Sequence, residues 1–200
     1  MSDQNLLLLG CGILRDEVNR IAERNGWPLE RRWLNPALHG EPVRLGRSLS
    51  LALTSHPGRD VIVFYGCCHP RIENILREAG TFRTDGQNCI SMLIGQEAFE
   101  REIRAGAYFL LEPWARDWVP ILKRSFGTDD LALIREIFRS DRRYLLALRT
   151  PCSGEWTAAA EAAASFVDLP LRWLDVNLDH LEGVLRTAIE RKQKELCTPS

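Results

Sequence analysis

Two uninterrupted apolar runs, each ending where glycine and cysteine meet, constrain this chain more than any other feature. They are LLLLGCG at residues 6–12 and VIVFYGCC at residues 61–68. A run that is apolar at every position, rather than at every second one, predicts a strand covered on both faces, as in a parallel sheet. Between the two runs the period changes. Ile13, Leu14, Val18, Ile21 and Ala22 fall on one helical stripe that stops at Asn25-Gly26. Leu45, Leu49 and Leu53 form a second stripe that stops at the Ser55-His56-Pro57-Gly58 breaker. WPLERRWL, at 27–34, predicts a strand between those helices. Strand, helix, strand, helix, strand implies right-handed crossovers and a Rossmann-like α/β fold with a parallel sheet.

The rest of the chain continues in the same manner. A short helix is expected over 72–79, then a polar loop over 81–88 turning at Asp85-Gly86, then a helix opening at Cys89 in CISMLIGQEAFEREI. Residues 107–111 fit a strand or an apolar helical segment, and 131–138 an amphipathic helix. YLLALRT at 144–150 is another buried strand, followed by the Pro151-Cys152-Ser153-Gly154 turn. An alanine-rich helix at 155–167, a strand at LRWLDV and a helix over 178–196 complete the pattern. Two hundred residues predict a single α/β domain over 1–200. It divides naturally into two similar lobes, 1–100 and 101–200, around a cysteine site.

The cysteines carry the chemistry. In an open parallel sheet, ligands sit beyond the carboxyl ends of the strands. Cys11 and the adjacent pair Cys67-Cys68 fall at two such ends, and Cys89 arrives on a nearby loop at a helix start. The start MSDQN followed by only four leucines is neither a signal peptide nor a membrane span, so a cytoplasmic protein is expected. There the six cysteines stay reduced, which favours metal binding over disulfides. A net charge of -1, with basic and acidic residues interleaved, argues against a nucleic-acid partner.

Thiolates select zinc, copper(I) or iron–sulfur clusters. Cys11, Cys68 and Cys89 can hold a four-iron cluster (4Fe-4S) with one iron left open for a ligand. The same thiols with His39 or His69 can instead hold tetrahedral zinc, whose open position activates a thiol or water. Cys67 and Cys68 are adjacent, so one is expected to bind and the other to pack beside it. Cys152 is either a turn cysteine or a further ligand, and Cys197 is a plain thiol in a charged tail. Trp114 and Trp118 lie four apart and form either a core stripe or a stacking wall for a flat ligand. Asp85 is the carboxylate nearest in sequence. No Ser-His-Asp order, P-loop or HExxH is present, so no catalytic residue is assigned and enzyme activity is left open.

Several segments resemble one family. LGCG near the start, the Leu38-His39 loop with Pro42, YGCC, NCISMLIG, AYFLLEPW and the late LRTP are similar to the domain-of-unknown-function family 1638 (DUF1638). The resemblance covers most of the chain and puts the family's cysteines on Cys11, Cys68 and Cys89, choosing Cys68 over Cys67. Where the family often has His-Asp before its third cysteine, this chain has Gln87-Asn88. Where it tends to glycine after the second, this chain has His69. Members are often encoded near corrinoid-dependent methyltransferases and their activators. The resemblance therefore implies a role in one-carbon or metal-cofactor metabolism, with a corrinoid, methyltransferase or metal-cofactor protein as partner beside a small-molecule ligand. A metallochaperone role and a homodimer are compatible with it.

Overall fold

The computed structural model describes residues 6–197. In chain order the elements are β1 (Leu6–Cys11), α1 (Arg15–Arg24), β2 (Glu30–Leu34), α2 (Pro42–Thr54), β3 (Asp60–Phe64), α3 (Ile72–Glu78), β4 (Phe82–Arg83) and α4 (Cys89–Ile94). There follow α5 (Gln96–Arg104), β5 (Ala107–Leu110), α6 (Glu112–Arg116), α7 (Trp118–Phe126), α8 (Leu131–Asp141), β6 (Tyr144–Arg149), α9 (Thr157–Val167), β7 (Leu171–Asp175) and α10 (Asp179–Cys197). The chain is α/β, with every paired strand parallel. It forms two compact units. One runs to Leu93 and resumes at Leu178; the other is Ile94–Asn177.

The sheet of the first unit has the order β2-β1-β3-β4. β1 lies inside it, with Leu7 beside Val61 on one flank and Glu30 on the other. Leu7, Leu8 and Leu9 are all buried, which is why the run has no polar alternate positions. Each such leucine stabilises the fold by about 1.5–3 kcal/mol. The chain steps from β1 to β2 in one direction and returns past β1 to β3. Right-handed crossovers then put α1 and α2 on opposite faces. α10 packs with α1, and α3 with α2. The strand order reverses between β1 and β3, and in this order the crevice at their carboxyl ends is where a ligand enters.

The second unit carries a three-stranded sheet, β5-β6-β7. Its core gathers Trp118, Phe138 and Tyr108, whose rings meet with centroids 4.9 to 5.7 Å apart. Trp156 packs edge-on against Trp173 at 4.8 Å. Trp118 is 4 % exposed, so the Trp114/Trp118 pair reads as core and not as a stacking wall. The two do not even share a helix, because α6 and α7 part at Asp117. Trp114 packs against the same core from the side.

Two local features depart from the sequence reading. The expected polar loop at 81–88 contains β4, which pairs Phe82 and Arg83 with Ile62 and Val63. The single helix expected from Cys89 is two, divided at Gly95, whose φ of 86° suits a residue without a Cβ.

Candidate functional site

The crevice at the ends of β1 and β3 is closed by the segment that follows β4. The Thr84 N–H donates to the Val63 carbonyl at 2.8 Å, which continues the ladder one residue past β4. Arg83 then ties the loop down, with Nη1 donating to the carbonyls of Thr84 (3.1 Å) and Gly86 (2.9 Å) and Nε to Glu73 at 2.7 Å. Asn88 and Ser91 cap α4 reciprocally. The Ser91 N–H donates to Asn88 Oδ1 at 2.9 Å, and Ser91 Oγ accepts from the N–H groups of Gln87 and Asn88. Cys89 is thereby fixed as the first residue of α4.

Gly66 makes this closure feasible. The Cys67 N–H donates to the Gln87 carbonyl at 2.7 Å. A Cβ on Gly66 would lie 2.3 Å from that same oxygen and 2.5 Å from Asn88 Cα. Two backbones meet there, and only glycine lets them. The contact sets Cys89 beside the turn that carries Cys68.

Cys11, Cys68 and Cys89 come together. Cys68 acts electrostatically on Cys11, and both act on Cys89. Burial, helped by the nearby Cys68 charge, pushes the Cys11 thiol from 9.0 up to about 11. Burial also raises Cys68, with Cys67 adding and Arg83 opposing. Cys89, fully enclosed, is raised by burial and then by Cys11 and Cys68. Against these costs, every sulfur meets a backbone N–H: Ile13 at Cys11, Gly66 at Cys68, and Ile90 with Cys89's own at Cys89. Such donors stabilise the thiolate form.

His39 joins this group. Its Nδ1 lies 3.9 Å from Cys11 Sγ. Burial lowers its pKa, which keeps the imidazole neutral, the form that binds metal. The local sequence puts it there. Asn35 Oδ1 accepts the Ala37 N–H and starts a short 3-10 turn over Pro36–Gly40 that carries His39 back to the end of β1.

The remaining candidates are placed differently. His69 turns to α2, its Nε2 2.7 Å from where a Cβ of Gly46 would stand, and its Nδ1 accepts the Arg71 N–H at 3.1 Å. Cys67 is exposed, its sulfur 3.3 Å from Arg83 Nη2. Asp85 and Cys197 are exposed. Cys152 belongs to the second unit, where its N–H donates to Thr150 Oγ1. Among the described residues, no three His, Cys, Asp or Glu side chains stand close enough to hold a metal ion as they are. None of the helices among those residues is long and apolar enough to cross a membrane.

Three contributors escaped the sequence reading. Arg83 and Ser91 lie in a stretch read as polar loop and helix start. Tyr65 reads as one more apolar residue of its strand. In the fold it is 2 % exposed, and its buried hydroxyl has no hydrogen-bond partner of good geometry. The sulfurs of Cys11 and Cys68 both act on that hydroxyl, with Cys11 within reach as a weak acceptor.

By donor chemistry alone the set suits a metal group: two buried thiols and one half-buried thiol, with a neutral imidazole beside Cys11, would ionise only where a cation compensates them. The three thiols and the imidazole of His39 would hold it.

The chain belongs to the family described as protein of unknown function (DUF1638), whose model matches residues 33–185. That span contains His39, Cys67, Cys68, His69 and Cys89, while Cys11 precedes it. No curated protein matches the chain. A crystal structure described as a sugar transporter from Clostridium phytofermentans is similar at a TM-score of 0.44 and 11% identity, over 98% of this chain and 95% of that one. A likeness at that level carries no functional argument.

Proposed function

We propose that this DUF1638 protein is a cytoplasmic metal-centre protein. Its Cys11, Cys68 and Cys89 hold an iron–sulfur cluster of the four-iron type. The observation that carries the reading is the approach of two buried thiols, Cys11 and Cys89, to the half-buried Cys68, each sulfur met by a backbone N–H. Hydrogen bonds of this kind to sulfur also set cluster potentials. Three thiols from separate segments, with no paired CxxC knuckle, suit a cluster with one open iron better than a closed structural zinc site. When bound, the group supplies an iron free of protein thiolate, open to a small ligand, to sulfur or to electrons.

One observation favours a second reading. His39 Nδ1 stands 3.9 Å from Cys11 Sγ, so a Cys3His zinc-thiolate site is available. In that reading the protein serves corrinoid-dependent methyl transfer, as an enzyme or as an accessory metallochaperone.

Reconstitution of the metal-free chain with ferrous iron and sulfide, without oxygen, separates the two. Broad visible absorption should develop in the wild type and in Cys67→Ser, but not in Cys68→Ser or Cys89→Ser. A wild type that stays colourless yet binds one zinc would favour the second reading over the first.

A further inference from the structure

The thiol site contains one polar group with no evident task. Tyr65 follows β3 directly and precedes the Gly66-Cys67-Cys68 turn, and its ring is 2 % exposed. Its hydroxyl has no hydrogen-bond partner of good geometry among the described residues, only the Cys11 sulfur as a weak acceptor. A buried hydroxyl without a partner is a net cost to a fold, and native structures seldom keep one without a use. This one lies within reach of the Cys11 sulfur and near enough to Cys68 to feel its charge.

The surroundings narrow what it would meet. A carboxylate or phosphate is normally held by a guanidinium fork or an ammonium. Arg83 is the guanidinium that acts on Cys68, and its nitrogens are committed to Glu73, to the carbonyls of Thr84 and Gly86, and to the Cys67 sulfur. What is left is a single neutral donor beside soft sulfur ligands. That combination suits a small soft anion with one acceptor atom.

We propose that the Tyr65 hydroxyl is the docking donor of the site, giving its hydrogen bond to a small soft anion such as hydrosulfide held at the open position of the metal group beside Cys11 and Cys68. The inference rests on the metal-centre reading and deepens it by naming the class of ligand. Tyr65 is a positioning residue for that ligand, and the thiolates hold the metal without it.

The test uses the full chain reconstituted with iron and sulfide, as wild type and as Tyr65→Phe. Iron content and the visible spectrum are recorded first, and sodium hydrosulfide is then titrated in. Both proteins should carry the same iron and the same starting spectrum. The hydrosulfide dissociation constant should be roughly tenfold higher in Tyr65→Phe, the loss of one hydrogen bond to an anion. The metal-free Tyr65→Phe protein should melt within a degree or so of the metal-free wild type, because only a weak contact to the Cys11 sulfur is lost. Equal dissociation constants would overturn the proposal. So would a metal-free variant that melts well below the wild type, which would mean that the hydroxyl serves the fold. A wild type that takes up no iron fails before hydrosulfide is added, and overturns the metal-centre reading together with this one.

Discussion

Replacing Gly66 with alanine tests whether backbone contact is what assembles the thiol site. The added Cβ would start 2.3 Å from the Gln87 carbonyl oxygen, where contacts below 3.0 Å are essentially never seen. The 66–68 turn and the 87–89 segment must therefore separate by at least about 0.7 Å, the difference between those two distances. Neither side can yield by rotating a side chain, since both partners are main chain. The separation also breaks the 2.7 Å bond from the Cys67 N–H to the Gln87 carbonyl. Lost bonding of about 1 kcal/mol and overpacking of about 1–3 kcal/mol give roughly 2–4 kcal/mol. For a chain of this size that lowers Tm by roughly 4–16 °C. Because Cys89 moves with Asn88, metal uptake should fall as well. Thermal unfolding by circular dichroism, with iron content after reconstitution, reads both effects. A Gly66→Ala protein that melts with the wild type and loads metal normally would show that the two segments are not held by this contact.

Gly183→Ala makes a useful control. The new methyl meets nothing within 4 Å on α10, so helix propensity should raise stability by about 0.8–1 kcal/mol, seen as a higher urea midpoint. Trp118→Ala should cost about 3–5 kcal/mol by emptying the core beside Tyr108 and Phe138, again read by urea unfolding. Cys11 holds its proton to about pH 11 in the fold against an ordinary 9.0. Its contribution to stability is therefore complete below about pH 9 and lost as pH rises through about 11. The urea midpoint of the metal-free wild type should fall across that window more than that of Cys11→Ser, and parallel curves would contradict the assignment. With all three pKa values raised, metal loading near neutral pH should release about three protons, measurable by calorimetry in buffers of different ionisation enthalpy.

The parallel sheet of the first unit was legible because β1 and β3 are buried on both faces and so are apolar at every position. The placement of Cys11 at the end of β1 and of Cys68 just past β3 followed from strand-end logic, without any pairwise motif. β4 was not legible. It is two residues long, and its Arg83 looks like a loop residue until its four nitrogen contacts are seen in three dimensions. The break at Gly95 was missed because one glycine inside an amphipathic pattern is often tolerated, and only its φ of 86° shows that the helix stops. Tyr65 was invisible for a different reason. An aromatic residue at the end of a buried strand is ordinary, and what singles it out is a hydroxyl with no partner of good geometry, a property of the fold and not of the residue type. In sequence His69 was slightly favoured over His39, because it directly follows the cysteines. The Asn35-capped turn brings His39 to Cys11, whereas the Arg71 N–H and the space left by Gly46 turn His69 to α2.

Iron and acid-labile sulfide should be quantified on protein purified without oxygen, in the wild type and in Cys68→Ser. About four iron and four sulfide per chain in the wild type, lost in the variant, is the expected result for a three-cysteine cluster. A wild type that carries no metal as purified, and takes up none on reconstitution, would contradict the metal centre itself and leave Cys11, Cys68 and Cys89 as packing residues.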